Sequence, residues 1–456
     1  MADEQAAGGD AAGPSGKALL KLLSLAAIVG LVVSFAAWCF LELVHVVQDF
    51  VFDDLPDALG FSHTPSWWAI PVLAIAGFAV AGAIVRLPGK GGHVPALGLN
   101  PSPSMPADIP GITLAAVAGI GFGIVLGPEA PLIGLGGALG YLGFQMFVKE
   151  GAPEVGQLIS SSGIFAAVSF LFGSPLIAAV LLVEITGLDR KKMTMLLIPG
   201  LLAAGIGSLV AIGMGSWTGV NTSEISMQIL PLPEFARPTF VDFLWTVPLA
   251  ALLALGIHLI LRLGNALVPA AAREPFRVVP AVGLIIGIIA FAFVEITNHG
   301  ADEILFSGQS AVGPLVSDHA SWTVGALLLL LVMKGLAYGL ALGSWRGGPV
   351  FPALLLGAAA GIAASHLPGF DLTPAVAVGM GAAVVAVLRL PLSSVILAVL
   401  LSSQSGPGAG PLVIVGVLVA LLVTMALPDP TEKNLKAAAE AEAEGPGPAA
   451  PAPTPA

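Results

Sequence analysis

Apolar residues run along this chain in long blocks separated by short polar or Gly/Pro-rich joints. Blocks at 19–47, 67–85, 196–214, 240–268, 278–294 with its flanks, and 322–342 approach or exceed the roughly 20 residues that a helix needs to cross a membrane. They predict the scaffold helices. Shorter blocks, at 132–148, 164–172, 175–185, 351–364, 374–388 and 391–401, are bounded or interrupted by Gly and Pro. At roughly 1.5 Å per residue, a block as short as 391–401 crosses only about half of the ~30 Å hydrocarbon core. Such pieces predict discontinuous helices, which are tolerated only where protein or a water-filled cavity covers the freed backbone groups.

The short blocks recur in corresponding places in the two halves. In the first, Gly127-Pro128-Glu129-Ala130-Pro131 leads into one block and Gly173-Ser174-Pro175-Leu176 into the next. In the second, Gly347-Gly348-Pro349-Val350-Phe351-Pro352 and Leu390-Pro391-Leu392 do the same. Paired, Pro-interrupted segments are the sequence sign of a transporter built from inverted repeats with its site near the bilayer midplane. The expected fold is an all-α polytopic membrane protein, an inverted repeat of two halves with discontinuous, tilted helices. The repeats are placed at 18–215 and 239–427, with an inter-repeat loop at 216–238. The ends, 1–17 and 428–456, are rich in Ala, Gly, Pro and acidic residues and are expected to be disordered.

Composition agrees with the block pattern: 56% of residues are hydrophobic, 10% are charged and the mean hydropathy is +0.96, whereas soluble domains carry about 25% charged residues. The first block is longer than a signal-peptide core and lacks a small-residue cleavage site, so it is expected to stay as the first helix. Cys39 is the only cysteine, which excludes an intrachain disulfide and a multi-cysteine metal site; no metal or other cofactor is expected. The net charge of -11 owes much to Asp3, Glu4, Glu432, Glu440, Glu442 and Glu444 in the tails, and it argues against a nucleic-acid partner. Arg190-Lys191-Lys192 is the densest basic cluster, and with Lys17, Lys21, Lys433 and Lys436 it places both termini in the cytoplasm, in a multi-pass protein of the cell membrane.

Glu129 is the residue that most needs a reason. An ionised side chain at bilayer depth costs roughly 2.5 kcal/mol or more, so such residues usually line an ion or substrate path. Helix N-termini present unpaired N–H groups and a partial positive charge, and they bind anions without a cationic side chain. The loops at 127–131 and 347–352 set Gly and Pro before an apolar helix, and Gly91-Gly92-His93-Val94-Pro95 does something similar. Three such ends meeting at the midplane would form an anion site. Glu129 is then a tethered competitor for that site, a gate and a proton carrier; the alternative is an acidic residue that only caps the next helix. The candidate anion-binding residues are Gly91, Gly92, His93, Gly127, Ala130, Gly348, Val350 and Phe351.

On these residues the chain resembles the CLC family of chloride channels and chloride/proton antiporters. Gly127-Pro128-Glu129-Ala130-Pro131 resembles the family's G-[RK]-E-G-P segment, which holds the gating glutamate. Gly91 to Pro95 resembles its G-S-G-I-P loop, and Gly348 to Pro352 its G-x-F-x-P loop. Phe172-Gly173-Ser174-Pro175-Leu176 and Gly308-Gln309-Ser310 extend the likeness, whose order and spacing run from about residue 18 to 427. The resemblance implies a homodimer in the lipid bilayer with one pathway per subunit, passing an inorganic anion, chloride above all, passively or with proton coupling.

The departures are specific. Gly92 stands where the family commonly has the serine that contacts the central anion, and Val350 replaces an aromatic residue. Pro349 has no N–H, which leaves Val350 and Phe351 as the backbone donors. The inner proton acceptor of family antiporters falls at Ile185, directly after Glu184; Glu184 itself is expected to close its helix and brace the Arg190-Lys191-Lys192 loop. Neither Tyr141 nor Tyr338 stands at the place of the family's pore tyrosine, and the remaining residues are too few for the cytoplasmic CBS modules of many relatives.

Other readings compete. A fluoride or other small-anion/proton antiporter of the same fold departs at the same loops. An intramembrane enzyme would have only Ser169 or Ser174 with His258 to work with, and no enzymatic activity is expected. A cation transporter would need a second buried carboxylate, for which Glu295, beside Thr297-Asn298-His299, is the contender. His258 and Arg262 share a helix face and read as a packed pair or a proton relay, while His93 reads as a vestibule histidine or a pH-dependent anion ligand.

Overall fold

The computed structural model of this chain describes residues 16–99, 104–148, 153–187, 190–218, 227 and 229–443, with the backbone alone for 190–191, 215–218 and 438–443. Its longer elements are α1 (Gly16–Asp49), continued by a π-helical turn, α2 (Ala69–Arg86), α3 (Ile109–Ile120), α4 (Glu129–Phe147), α5 (Pro153–Phe172), α6 (Pro175–Thr186) and α7 (Arg190–Thr218) in the first half. In the second half they are α8 (Phe240–Arg273), α9 (Pro275–Thr297), α10 (Val312–Ser317), α11 (Val324–Ser344), α12 (Val350–Ala364), α13 (Leu372–Leu388), α14 (Pro391–Leu401) and α15 (Ala409–Ala426). A last helix, α16 (Glu432–Ala443), follows. Nine helices of the described residues are long and apolar enough to cross a membrane.

Local chemistry sets the helix ends. Thr239 and Asp242 form a reciprocal capping box at the start of α8, satisfying N–H groups that have no partner within the helix. Pro275 and Pro391 open α9 and α14, where a missing N–H costs nothing, and Pro175 opens α6 behind a Ser174 cap. Asn298 and Arg389 end α9 and α13 in the left-handed conformation.

The halves repeat one packing scheme. In each, the helix that follows the Gly/Pro loop lies against the next helix with glycine facing backbone. A Cβ at Gly136 of α4 would sit 2.8 Å from the Gly163 carbonyl of α5, and one at Gly357 of α12 would strike the Gly379 carbonyl of α13. Between halves, a Cβ at Gly77 of α2 would meet Pro280 of α9 at 2.5 Å. In lipid no hydrophobic force draws helices together, so this small-residue close packing supplies the contact energy instead.

Several expectations need correcting. Block 132–148 belongs to the unbroken α4, and 164–172 is the end of the longer α5. The shorter apolar helices among the described residues are α3 with the turn before it, α6, α12, α13 and α14. The reading by blocks passed over α3 and α15. Expected disorder at 428–456 fails for 432–443, because Glu432 to Ala443 is an Ala-, Glu- and Lys-rich stretch of strong helix formers with no proline between Pro430 and Pro446. Asn434 Nδ2 anchors α16 by donating to the Asn265 backbone and side-chain oxygens at 2.9 and 3.0 Å. The expected disorder at 1–17 falls on residues outside the described ones up to 15; Gly16 and Lys17 begin α1. Part of the 216–238 loop also lies outside the described residues.

Candidate anion site

The two Gly/Pro loops meet. Gly127 and Gly348 form an antiparallel bridge, their N–H groups donating to each other's carbonyls at 2.8 and 2.5 Å. The bridge sets two helix starts side by side, since Glu129 is the first residue of α4 and Val350 the first of α12.

Glu129 is 1% exposed. Its carboxylate crosses from one half of the chain to the other, where Oε1 accepts a hydrogen bond from the Phe351 N–H at 2.9 Å. Oε2 has no partner. The negative charge therefore rests on an unpaired amide at the positive end of a helix dipole. Gly127 and Gly348 make room for it: a Cβ on Gly127 would lie 2.6 Å from the carboxylate carbon, and one on Gly348 would overlap Oε2. Phe351 is fixed from the side by Phe172, whose ring stacks on it with centroids 5.7 Å apart. Beneath the loop, the Tyr338 hydroxyl of α11 donates to the Pro349 carbonyl at 2.5 Å and is fully buried.

Next to this pair of helix starts lies a cavity of about 420 Å³, lined among others by Gly91, Gly92, His93, Ala130, Arg346 and Gly347. Arg346 is 8% exposed; its Nε donates to the Lys90 carbonyl at 3.2 Å and its Nη1 to the Trp345 carbonyl at 3.1 Å. His93 Nε2 is enclosed and has no partner.

Comparison with known proteins decides the family. Residues 100–425 match the model of the Voltage gated chloride channel family. The chain belongs to this family. Membership puts it among proteins that transport anions across membranes. In sequence the chain is similar to "Putative ion-transport protein YfeO" of Salmonella schwarzengrund (strain CVM19633), 28% identical over 361 residues that cover 76% of this chain and 81% of that protein. The protein of the same name from Escherichia coli O1:K1 / APEC is 28% identical over 355 residues, 76% of this chain and 80% of that one. In fold it is similar to a slow cyanobacterial Cl-/H+ antiporter, with a TM-score of 0.73 at 19% identity over 92% of this chain and 99% of that chain. A CLC-type fluoride/proton antiporter gives a TM-score of 0.65 at 16% identity, over 90% and 97%.

The chloride channel fold divides the residues singled out from sequence into two groups. Glu129, Gly127, Gly348, Val350 and Phe351 gather at the bridge; Gly91, Gly92, His93 and Ala130 line the cavity. The third loop differs from expectation. After Gly92, whose φ is +98°, Pro95–Leu97 makes a single 3-10 turn, and the next long helix begins only at Ile109. Two helix ends therefore meet at the site rather than three.

Glu184 differs as well. Its carboxylate accepts from the N–H groups of Leu392 and Ser393, each at 2.8 Å, and from the Ser393 hydroxyl at 2.6 Å. It caps α14 of the other half; the expected brace on the basic loop involves the side chains of Arg190 and Lys191, which lie outside the described residues.

The competing chemistries lose their parts. Ser169 donates to the Ala204 carbonyl and Ser174 caps α6, so neither hydroxyl is bonded to His258. Glu295 is exposed and takes a hydrogen bond from Ser66, so it is not the buried carboxylate that the cation reading needs. His258 is buried while Arg262 is exposed. No group of three or more His, Cys, Asp or Glu side chains among the described residues could hold a metal ion.

Arg346 and Lys334 escaped the sequence reading, and Tyr338 entered it only as a rejected pore tyrosine. Lys334 is fully buried, and its Nζ donates to the carbonyls of Glu303, Ile304 and Leu305 at 2.8, 3.3 and 3.0 Å. Both basic residues had a readable signal, an ionisable side chain inside or abutting an apolar block.

Proposed function

We propose that this chain carries chloride through a pathway gated by Glu129, with one carboxylate serving as gate and proton acceptor. The observation that carries the reading is the Glu129 Oε1 to Phe351 N–H bond at 2.9 Å. A charge-assisted bond of this kind is stronger than a neutral one, and it fills the amide end that a permeant anion would otherwise use. A protonated carboxyl loses that advantage and frees the amides of Val350 and Phe351. The two repeats, 18–215 and 239–427, each contribute one helix start. The protein works in the cell membrane as a homodimer with both termini cytoplasmic.

The direct test is chloride flux in proteoliposomes. Wild-type flux should rise as pH falls, and Glu129→Gln should give high flux at every pH. A Glu129→Gln protein with wild-type flux and wild-type pH dependence would remove the gate. A reversal potential that moves with the proton gradient indicates coupled exchange, and one that ignores it indicates a channel.

A second reading, a fluoride or other small-anion/proton antiporter, is favoured by Gly92 and Val350, which withhold the hydroxyl and the aromatic side chain seen at the family's usual anion site. Efflux measured with chloride, nitrate and fluoride separates the two.

A further inference from the structure

We propose that Arg346 is an anion-binding side chain of this protein, holding a small inorganic anion such as a halide or nitrate in the cavity beside Gly92. A guanidinium has five N–H donors. Backbone oxygens take only two of Arg346's, from Nε to Lys90 and from Nη1 to Trp345. No acceptor among the described residues takes an Nη2 hydrogen. Ion pairs among the described residues include Arg277–Glu274, Arg389–Asp429 and Lys436–Glu432; Arg346 belongs to none of these. Asp108 lines the same cavity, yet its Oδ2 accepts from the Met105 N–H at 2.9 Å and it makes no ion pair with Arg346.

A buried cation without a counter-charge is costly unless something pairs with it. The cavity against which it lies, about 420 Å³, is large enough for an anion, and it holds a second unsatisfied polar atom, His93 Nε2. Geometry ties Arg346 to the loop that lacks a side-chain donor. Its Cγ would be 3.5 Å from a Cβ on Gly91, so the stem passes Gly91 and the head is pinned to the Lys90 carbonyl just before it. Gly92 has no hydroxyl to offer, and Arg346 supplies the missing donor from the opposite half of the chain. Gly347 and Gly348 then connect it directly to the bridge and Glu129. Arg suits this place better than Lys, because its planar fork can keep two backbone bonds and still present free N–H groups.

The proposal rests on the reading of this cavity as part of the anion path, and its test separates the two. Chloride binding to the purified full-length protein is measured by calorimetry for wild type, Arg346→Gln, Arg346→Lys and Glu129→Gln, each checked for folding by elution volume and thermal unfolding. Crystals of the wild type are soaked in bromide and its anomalous signal located. Loss of one charge-assisted hydrogen bond should weaken chloride binding about tenfold or more in Arg346→Gln, with Arg346→Lys in between, and bromide should sit within hydrogen-bond reach of Nη2. A folded Arg346→Gln that binds chloride like wild type overturns the site. If that variant does not fold, bromide found elsewhere and absent from Nη2 overturns it equally. Weakened binding in Arg346→Gln together with unaltered flux in Glu129→Gln would sink the gate and leave this site standing; the opposite pattern would do the reverse.

Discussion

Gly127 and Gly348, one from each half of the chain, exchange a pair of backbone hydrogen bonds, and the Glu129 carboxylate lies folded against both of them. The bridge fixes where α4 and α12 begin, and the missing side chains leave the space the carboxylate fills. Adding one methyl group therefore tests the gate without touching its acid. Gly348→Ala should expel the carboxylate from the Phe351 N–H, so that chloride flux in proteoliposomes becomes high and insensitive to pH, as in Glu129→Gln. Retained wild-type pH dependence would show that the carboxylate does not need that space.

Tyr338 holds the same loop from below. Its hydroxyl is the donor to the Pro349 carbonyl, which directly precedes the first residue of α12. Tyr338→Phe keeps the ring and leaves a buried acceptor unpaired, at a cost of about 1–3 kcal/mol. Thermal unfolding in detergent should move to lower temperature, and chloride flux should fall because the Phe351 amide is less firmly positioned. An unchanged unfolding temperature would mean that the carbonyl finds another donor.

The carboxylate between two prolines and the paired Gly/Pro loops were legible because both break a local rule: a charge in an apolar block, and helix breakers inside helices. Tyr338 and Arg346 were not, for different reasons. Tyr338 sits within an ordinary apolar helix, and its role depends on the chain folding back to bring Pro349 over it. Arg346 meets Lys90 only through tertiary structure, although its place beside a Gly-Gly-Pro loop marked it. Glu184 shows the same limit, since a carboxylate near a helix end is read against its sequence neighbours while its partners, Leu392 and Ser393, lie in the other half. The α16 error was of another kind. Alanine and glutamate were weighed as tail composition when their helix propensity and the Asn434 anchor decide the outcome.

Glu184 joins the halves and is not expected to move protons. Three hydrogen bonds from the start of α14 converge on its carboxylate, two of them from N–H groups without helical partners. Glu184→Ala should destabilise the protein by about 2 kcal/mol, the upper range for loss of a helix cap, and Glu184→Gln by less, both read as a lower unfolding temperature. The ratio of chloride to protons moved, taken from reversal potentials, should stay at the wild-type value in both. A changed ratio would assign Glu184 to the proton path.

Asp429 ties the chain beyond α15 to the membrane region and gives that contact a defined pH range. Burial pushes its carboxyl up, but hydrogen bonds from the Thr431 N–H and hydroxyl and the Arg389 guanidinium outweigh it and hold the group below the ordinary value of 3.8. A carboxylate with a depressed folded pKa contributes stability above its unfolded pKa and loses it as pH falls through the folded one. The Arg389 pair, at 2.5 Å, is about one-third exposed on both sides, so solvent screening keeps its worth to about 0.2–1 kcal/mol. Asp429→Asn should accordingly unfold at a slightly lower temperature than wild type, by the same margin from pH 5 to pH 8 on the scale of an ordinary carboxylate titration near 4. Below about pH 4 the margin should begin to shrink, and the two proteins should converge once pH has fallen through the depressed folded pKa and the wild-type carboxyl takes up its proton. Thermal unfolding of both proteins across that range checks it, and a margin that persists at the acid end would show that the position supplies packing and hydrogen bonding that the amide cannot reproduce, rather than charge.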